Sequence, residues 1–213
     1  MTEEEWLACD NAKAMVDSLK SPSCRKLQLF TCACCRRIWS FIAEPRQRAI
    51  EVAEQYADAL VTRAEFNLAY VKASEDSAPR IKGEGLEALA ATRSTLGLSD
   101  PGPDKCSTVY WVTHGVATAT NDVPGEWKVQ GDLFRDIFGN PFRPVAFDTE
   151  WRTPTVTALA RQMYDSRDFG AMPILADALQ DAGCDNDDIL GHCRGPGPHV
   201  RGCWVVDLVL GKG

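Results

Sequence analysis

Apolar residues recur along most of the chain at steps of three and four, the period of a helix that packs one face. The clearest case covers residues 25–43, where Leu27, Phe30, Cys34, Ile38 and Phe41 form a stripe and Arg36 and Arg37 lie off it. Pro45 either ends this segment or opens the next helix from its first turn. Residues 46–60 repeat the pattern through Ala49, Ile50, Ala53, Tyr56, Ala57 and Leu60. Residues 126–138 repeat it through Trp127, Val129, Leu133, Phe134, Ile137 and Phe138, and Gly139-Asn140-Pro141 stops them. Thr153-Pro154 reads as an N-cap with proline at the first helical position, leading to a stripe of Val156, Leu159, Ala160 and Met163. Residues 173–182 form another helix closed by Gly183, and Asp185 or Asn186 caps a short one through Ile189 and Leu190. Residues 200–210, apolar nearly all round, read as a last, buried helix.

Two capping boxes support these boundaries: Thr2 with Glu5, and Thr62 with Glu65 ahead of Phe66, Ala69, Tyr70 and Ala73. Residues 74–85 are polar, contain Pro79 and read as a loop, and residues 86–96 as a short helix. Residues 97–104 hold two prolines and two glycines, the strongest internal break. Residues 106–120 pull both ways: Val109 to Thr113 favour a strand, whereas the small residues after them and the helical surroundings favour a buried helix, which we take. No regular two-residue alternation specifies a sheet. The expectation is an all-α fold, a single compact multi-helix domain over residues 1–213. Irregular or extended connections fall around 140–152, and a subdomain break at 97–105 is the alternative.

Composition narrows the setting. A hydrophobic share of 45% and a charged share of 25% are those of an ordinary globular chain. The formal net charge of −7 works against nucleic acid as a partner and against anionic membranes. No apolar run approaches the roughly 18–20 residues that span a bilayer. The opening Met1-Thr2-Glu3-Glu4-Glu5 is acidic where a secretory leader is basic. Nine cysteines, an odd number, are therefore expected as reduced thiols in a cytoplasmic protein.

Long phrases near the two ends are distinctive. They are Arg25-Lys26-Leu27-Gln28-Leu29-Phe30 through Cys34-Cys35-Arg36-Arg37-Ile38-Trp39, the run from Arg135 to Pro144, and His192-Cys193-Arg194-Gly195-Pro196-Gly197-Pro198-His199-Val200-Arg201-Gly202-Cys203-Trp204. In these phrases the chain resembles an expanded bacterial family of uncharacterised proteins. The resemblance covers most of the sequence outside residues 76–129. It implies no activity, cofactor or catalytic residue, so the chemistry rests on the residues themselves.

The segment 184–203 concentrates that chemistry. Cys184, His192, Cys193, His199 and Cys203 place five thiol or imidazole groups within twenty residues, a donor set suited to tetrahedral zinc. The turn Gly195-Pro196-Gly197-Pro198 can bring its halves together, although no Cys-x2-Cys knuckle is present. Read instead as an anion site, Arg194, His199 and Arg201 surround a glycine-rich turn ahead of a helix start. The plain alternative is a proline-rigid turn whose arginines pair with Asp181, Asp187 or Asp188. A third reading is a Cys/His-dependent enzyme with Cys193 or Cys203 as nucleophile, His199 as base and Asp207 as orienter. Cys32, Cys34 and Cys35 sit on the first amphipathic helix, where core packing explains them best. His114 lies in an apolar stretch and reads as a core residue. Of the carboxylates, Asp132, Asp136, Asp187 and Asp188 complete no recognised two-metal or acid–base arrangement. The leading expectation is a non-catalytic helical module binding another protein, with Trp6, Trp39, Trp127 and Trp151 as an interaction face. The alternative is a zinc- or anion-binding protein with its site at 184–203.

Overall fold

Helix caps, prolines and glycines set the element boundaries in the computed structural model, which describes residues 1–75, 105–120 and 122–212. Among the described residues the structure is helical and has no strand. Two units emerge, Met1–Gly131 and Asp132–Gly213. Their boundary falls inside a helix, Val123–Phe138, whereas the break expected at 97–105 lies almost wholly outside the described residues. The helix expected at 86–96 also lies outside them.

The N-terminal unit contains α1 (Glu3–Ala8), α2 (Ala12–Ser18), α3 (Cys24–Arg37), α4 (Glu44–Ala57), α5 (Arg63–Glu75), α6 (Lys105–Ala119) and the start of α7 (Val123–Phe138). Thr2 and Glu5 form the reciprocal capping box of α1, and Thr62 and Glu65 exchange the same pair of bonds at α5. Pro45 opens α4 from its first turn. The stripe of α3 is buried at Leu27, Phe30, Cys34 and Ile38. Phe41 departs from it at 48% exposed, because the helix stops at Arg37 and a 3-10 turn, Trp39–Phe41, carries the chain away. α3 packs on α4 and α6, α2 on α6, and α4 on α5. The ambiguous residues 106–120 are helical in α6, where Val109, Val112 and Val116 are fully buried.

The C-terminal unit takes the end of α7 and adds α8 (Pro154–Ser166), α9 (Met172–Asp181), α10 (Asp187–Arg194) and α11 (Trp204–Leu210). A 3-10 turn, Thr149–Trp151, interrupts the extended connection before α8. Its core joins Val156, Met163, Leu175, Leu179, Ile189, Val205 and Val209, each side chain contributing about 1.5–3 kcal/mol by leaving water. Asn186 supplies the cap of α10. The last helix begins at Trp204 and not at residue 200. Gly202 adopts φ +95°, outside helical backbone, so the helix does not run back through it to residue 200.

Candidate metal centre

Asp136 lies in the last turn of α7 and is 2% exposed. A buried carboxylate is tolerated only when its oxygens are met by donors or cations. Its Oδ2 accepts the Val200 backbone N–H at 2.9 Å. Its Oδ1 lies 2.9 Å from His199 Nδ1 and 3.1 Å from His192 Nε2. The same His192 Nε2 lies 3.2 Å from Cys203 Sγ. The second ring nitrogen of His199, Nε2, is buried without a hydrogen-bond partner. The two imidazoles meet edge to face, with centroids 4.8 Å apart.

Local structure delivers each group. His192 projects from the last turn of α10, which Gly195 caps. His199 follows a turn in which Gly197 has φ +84°, and a Cβ there would stand 3.2 Å from the His199 backbone nitrogen and 3.5 Å from its ring. Cys203 is the N-cap of α11, its carbonyl accepting the Asp207 N–H at 2.8 Å. Trp204, next along, lays its ring 5.1 Å from that of His192. It also packs on Gly139, where a Cβ would approach the indole to 3.3 Å.

One donor atom from each of Asp136, His192, His199 and Cys203 lies within 4.8 Å of the others. Bonds of 2.0–2.3 Å to a tetrahedral zinc separate neighbouring donors by about 3.3–3.8 Å. The contacts of 2.9–3.2 Å are thus a few tenths of an ångström short of a filled site.

The electrostatics suit a cation. Burial pushes the Asp136 carboxyl up, but hydrogen bonds and charge from His192 and His199 outweigh it and hold the group below its ordinary value. Burial, and then the Asp136 charge, push the Cys203 thiol well up. Without a metal it stays protonated and unreactive.

A thiol–imidazole–carboxylate relay needs the thiol and the carboxylate on opposite ring nitrogens. At His192 both face the one nitrogen, Nε2, so this ring cannot relay between them. The carboxylate at both imidazoles is that of Asp136, not Asp207.

The residues of the anion reading each have a partner within the protein. Arg194 donates to Asp177 at 3.0 Å and to Gln180 at 2.7 Å. Arg201 lies over the Tyr164 ring at 4.6 Å. His199 already faces a carboxylate.

Of the five sulfur and imidazole ligands expected from the sequence, His192, His199 and Cys203 converge. Cys184 and Cys193 lie instead among the apolar core residues of the unit, where burial pushes the Cys193 thiol up to about 12. Asp136, which the sequence reading left unassigned, takes the fourth place from 63 residues before His199. Its signal is a carboxylate three residues after Leu133 on the buried side of a helix, beside Ile137. In the N-terminal unit, Cys32, Cys34 and Cys35 are fully buried, the Cys32 Sγ lying 3.8 Å from Gln28 Nε2. His114 is partly buried and stacks on Tyr110. The four tryptophans expected to form a face are not equivalent: Trp6 is fully buried and Trp127 is 44% exposed.

Among the described residues no helix is long and apolar enough to cross a membrane. Comparison of the chain with protein-family profiles, curated proteins and solved structures finds no match.

Proposed function

We propose that the protein binds one zinc ion in its C-terminal unit, through Asp136, His192, His199 and Cys203. The observation that carries this reading is the meeting of a carboxylate oxygen and a thiol sulfur at the single nitrogen His192 Nε2. One in-plane nitrogen serves one hydrogen bond well, whereas a cation at the centre serves all the donors at once. The donor set also balances charge. A carboxylate, a thiolate and two neutral imidazoles cancel a divalent ion, which leaves the buried cluster neutral. Thiolate and imidazole donors favour zinc over magnesium or calcium, which take oxygen ligands.

Elemental analysis of protein purified without a metal-affinity step tests the reading. The expected content is about one equivalent of zinc, falling below about 0.2 in Asp136→Asn and Cys203→Ser. Cobalt should enter in its place with a sulfur-to-metal charge-transfer band that Cys203→Ser abolishes. Wild-type protein that holds less than about 0.2 equivalents after growth and refolding in excess zinc and cobalt sinks the reading.

A further inference from the structure

We infer that the ion is a structural clasp: its binding orders the loop over residues 195–203 and the helix that follows, and so couples folding of the C-terminal unit to metal. This inference rests on the metal reading above and goes beyond it in assigning what the ion does.

Catalytic zinc sites keep one position for water or substrate, whereas structural sites fill all four with protein. Here four protein groups are present, and they are enclosed. The Asp136, His192 and His199 side chains are 2%, 19% and 9% exposed, and Cys203 is fully buried.

The donors come from separate stretches of chain. Asp136 ends α7, His192 ends α10, His199 stands mid-loop, and Cys203 caps α11. The backbone of residues 196–202 is outside regular secondary structure, and its tie to α7 is the Val200 N–H on Asp136 Oδ2. That bond fixes the carboxylate by one oxygen and leaves the other for the centre, the arrangement by which outer contacts aim a metal ligand.

Cys203 is also where α11 starts, and Val205, Val206 and Val209 behind it are core residues. Holding Cys203 therefore sets the register in which these three valines enter the core. A unit of about 80 residues falls in the range where a metal commonly supplements a small core.

The binding step is balanced. The Cys203 S–H bond breaks, its electron pair forms the sulfur–metal bond, and one proton leaves to solvent. Asp136 adds a lone pair with no bond broken, while the proton on each imidazole nitrogen that faces Asp136 leaves to solvent or moves to the other ring nitrogen, freeing a lone pair for the metal.

Hydrogen exchange read by mass spectrometry on the full chain tests the clasp, comparing zinc-loaded protein with protein stripped by a chelator. Stripping should speed exchange about tenfold or more in peptides covering 196–212, change peptides covering 24–57 less than about twofold, and reverse when zinc returns. His192→Ala with zinc present should reproduce the stripped pattern. If that variant does not fold, the wild-type comparison stands alone. One equivalent of zinc whose removal leaves 196–212 equally protected overturns the clasp and leaves the metal reading in place. Acceleration spread evenly over 24–57 and 196–212 overturns it too. Absence of bound zinc removes both.

Discussion

In the N-terminal unit two glutamates, Glu54 and Glu126, are 2% and 3% exposed, and each meets an arginine from α3. Arg36 grips Glu54 with two N–H groups, and Arg37 reaches Glu126 at 3.0 Å. Asp136 in the C-terminal unit is as deeply buried, yet it faces two imidazoles, a thiol and one backbone amide. A guanidinium keeps its charge at every working pH, so the first two carboxylates are complete within the protein. An imidazole is a cation only when it binds a proton, and its lone pair is otherwise free for a metal. Equal burial with unequal partners thus separates a carboxylate paired within the protein from one in a group that could hold a cation.

The largest effect that separates the two regions is expected from their carboxylates. Asp136→Asn removes the charge that both imidazoles face and turns one acceptor oxygen into a donor. In zinc-containing buffer it should cost about 3–5 kcal/mol in urea unfolding. Glu54→Gln should cost only about 1–2 kcal/mol, because the Arg36 side chain is 27% exposed and can turn its charge into water. Equal losses would break the contrast.

Gly197 gives the next largest effect and lies against His199 of the converging group. Alanine there is strained at φ +84° and pushes on His199, so Gly197→Ala should cost about 1–3 kcal/mol and weaken zinc binding. Gly183, also at positive φ (+90°), has nothing within 4 Å of the added Cβ, so Gly183→Ala should cost stability without touching zinc affinity. Competition with a chromophoric chelator reads the difference.

Thiols draw the same contrast more weakly. Cys32 and Cys34 are fully buried, and burial comes first among the causes that push both well above the ordinary 9.0. The folded unit keeps these protons while the unfolded chain loses them as pH rises through about 9, so the unfolded state binds fewer protons there. Their contribution is fully present below that pH and drains away above it, by up to about 1.4 kcal/mol per pH unit for each thiol. Cys32→Ala with Cys34→Ala should flatten the alkaline limb of the stability profile. A limb of unchanged slope in that double variant would show that other groups set it.

The helical frame was legible because local signals coincide with it. The stripe of Leu27, Phe30, Cys34 and Ile38 is buried as its spacing requires, and Pro45, Pro154 and Gly183 punctuate the chain as their backbone limits demand. Three of the four converging groups were legible too, since His192, His199 and Cys203 lie close in sequence. Asp136 was not, because a contact across 63 residues leaves no spacing to read, and an aspartate on an amphipathic helix looks like solvated surface. The start of α11 departs from the reading because the apolar run from Val200 gives no sign that Gly202 takes φ +95°, which keeps the helix from reaching back to residue 200.

Arg194 carries the smallest expected effect and the cleanest decision between cation and anion at this end of the chain. It lies two residues from His192, yet its guanidinium is turned to Asp177, whose side chain is 73% exposed. Pairs this open contribute about 0–1 kcal/mol, because water and salt screen them and two long side chains lose freedom in meeting. Arg194→Ala should therefore shift the urea midpoint by no more than that amount and leave zinc content at about one equivalent. Millimolar phosphate should raise the melting temperature of neither the variant nor the parent, since an anion beside His199 would meet the Asp136 carboxylate at the closest approach. A phosphate-dependent rise in the parent that Arg194→Ala removes would assign the turn to an anion after all, and would leave the convergence of Asp136, His192, His199 and Cys203 to be explained as a buried hydrogen-bond network.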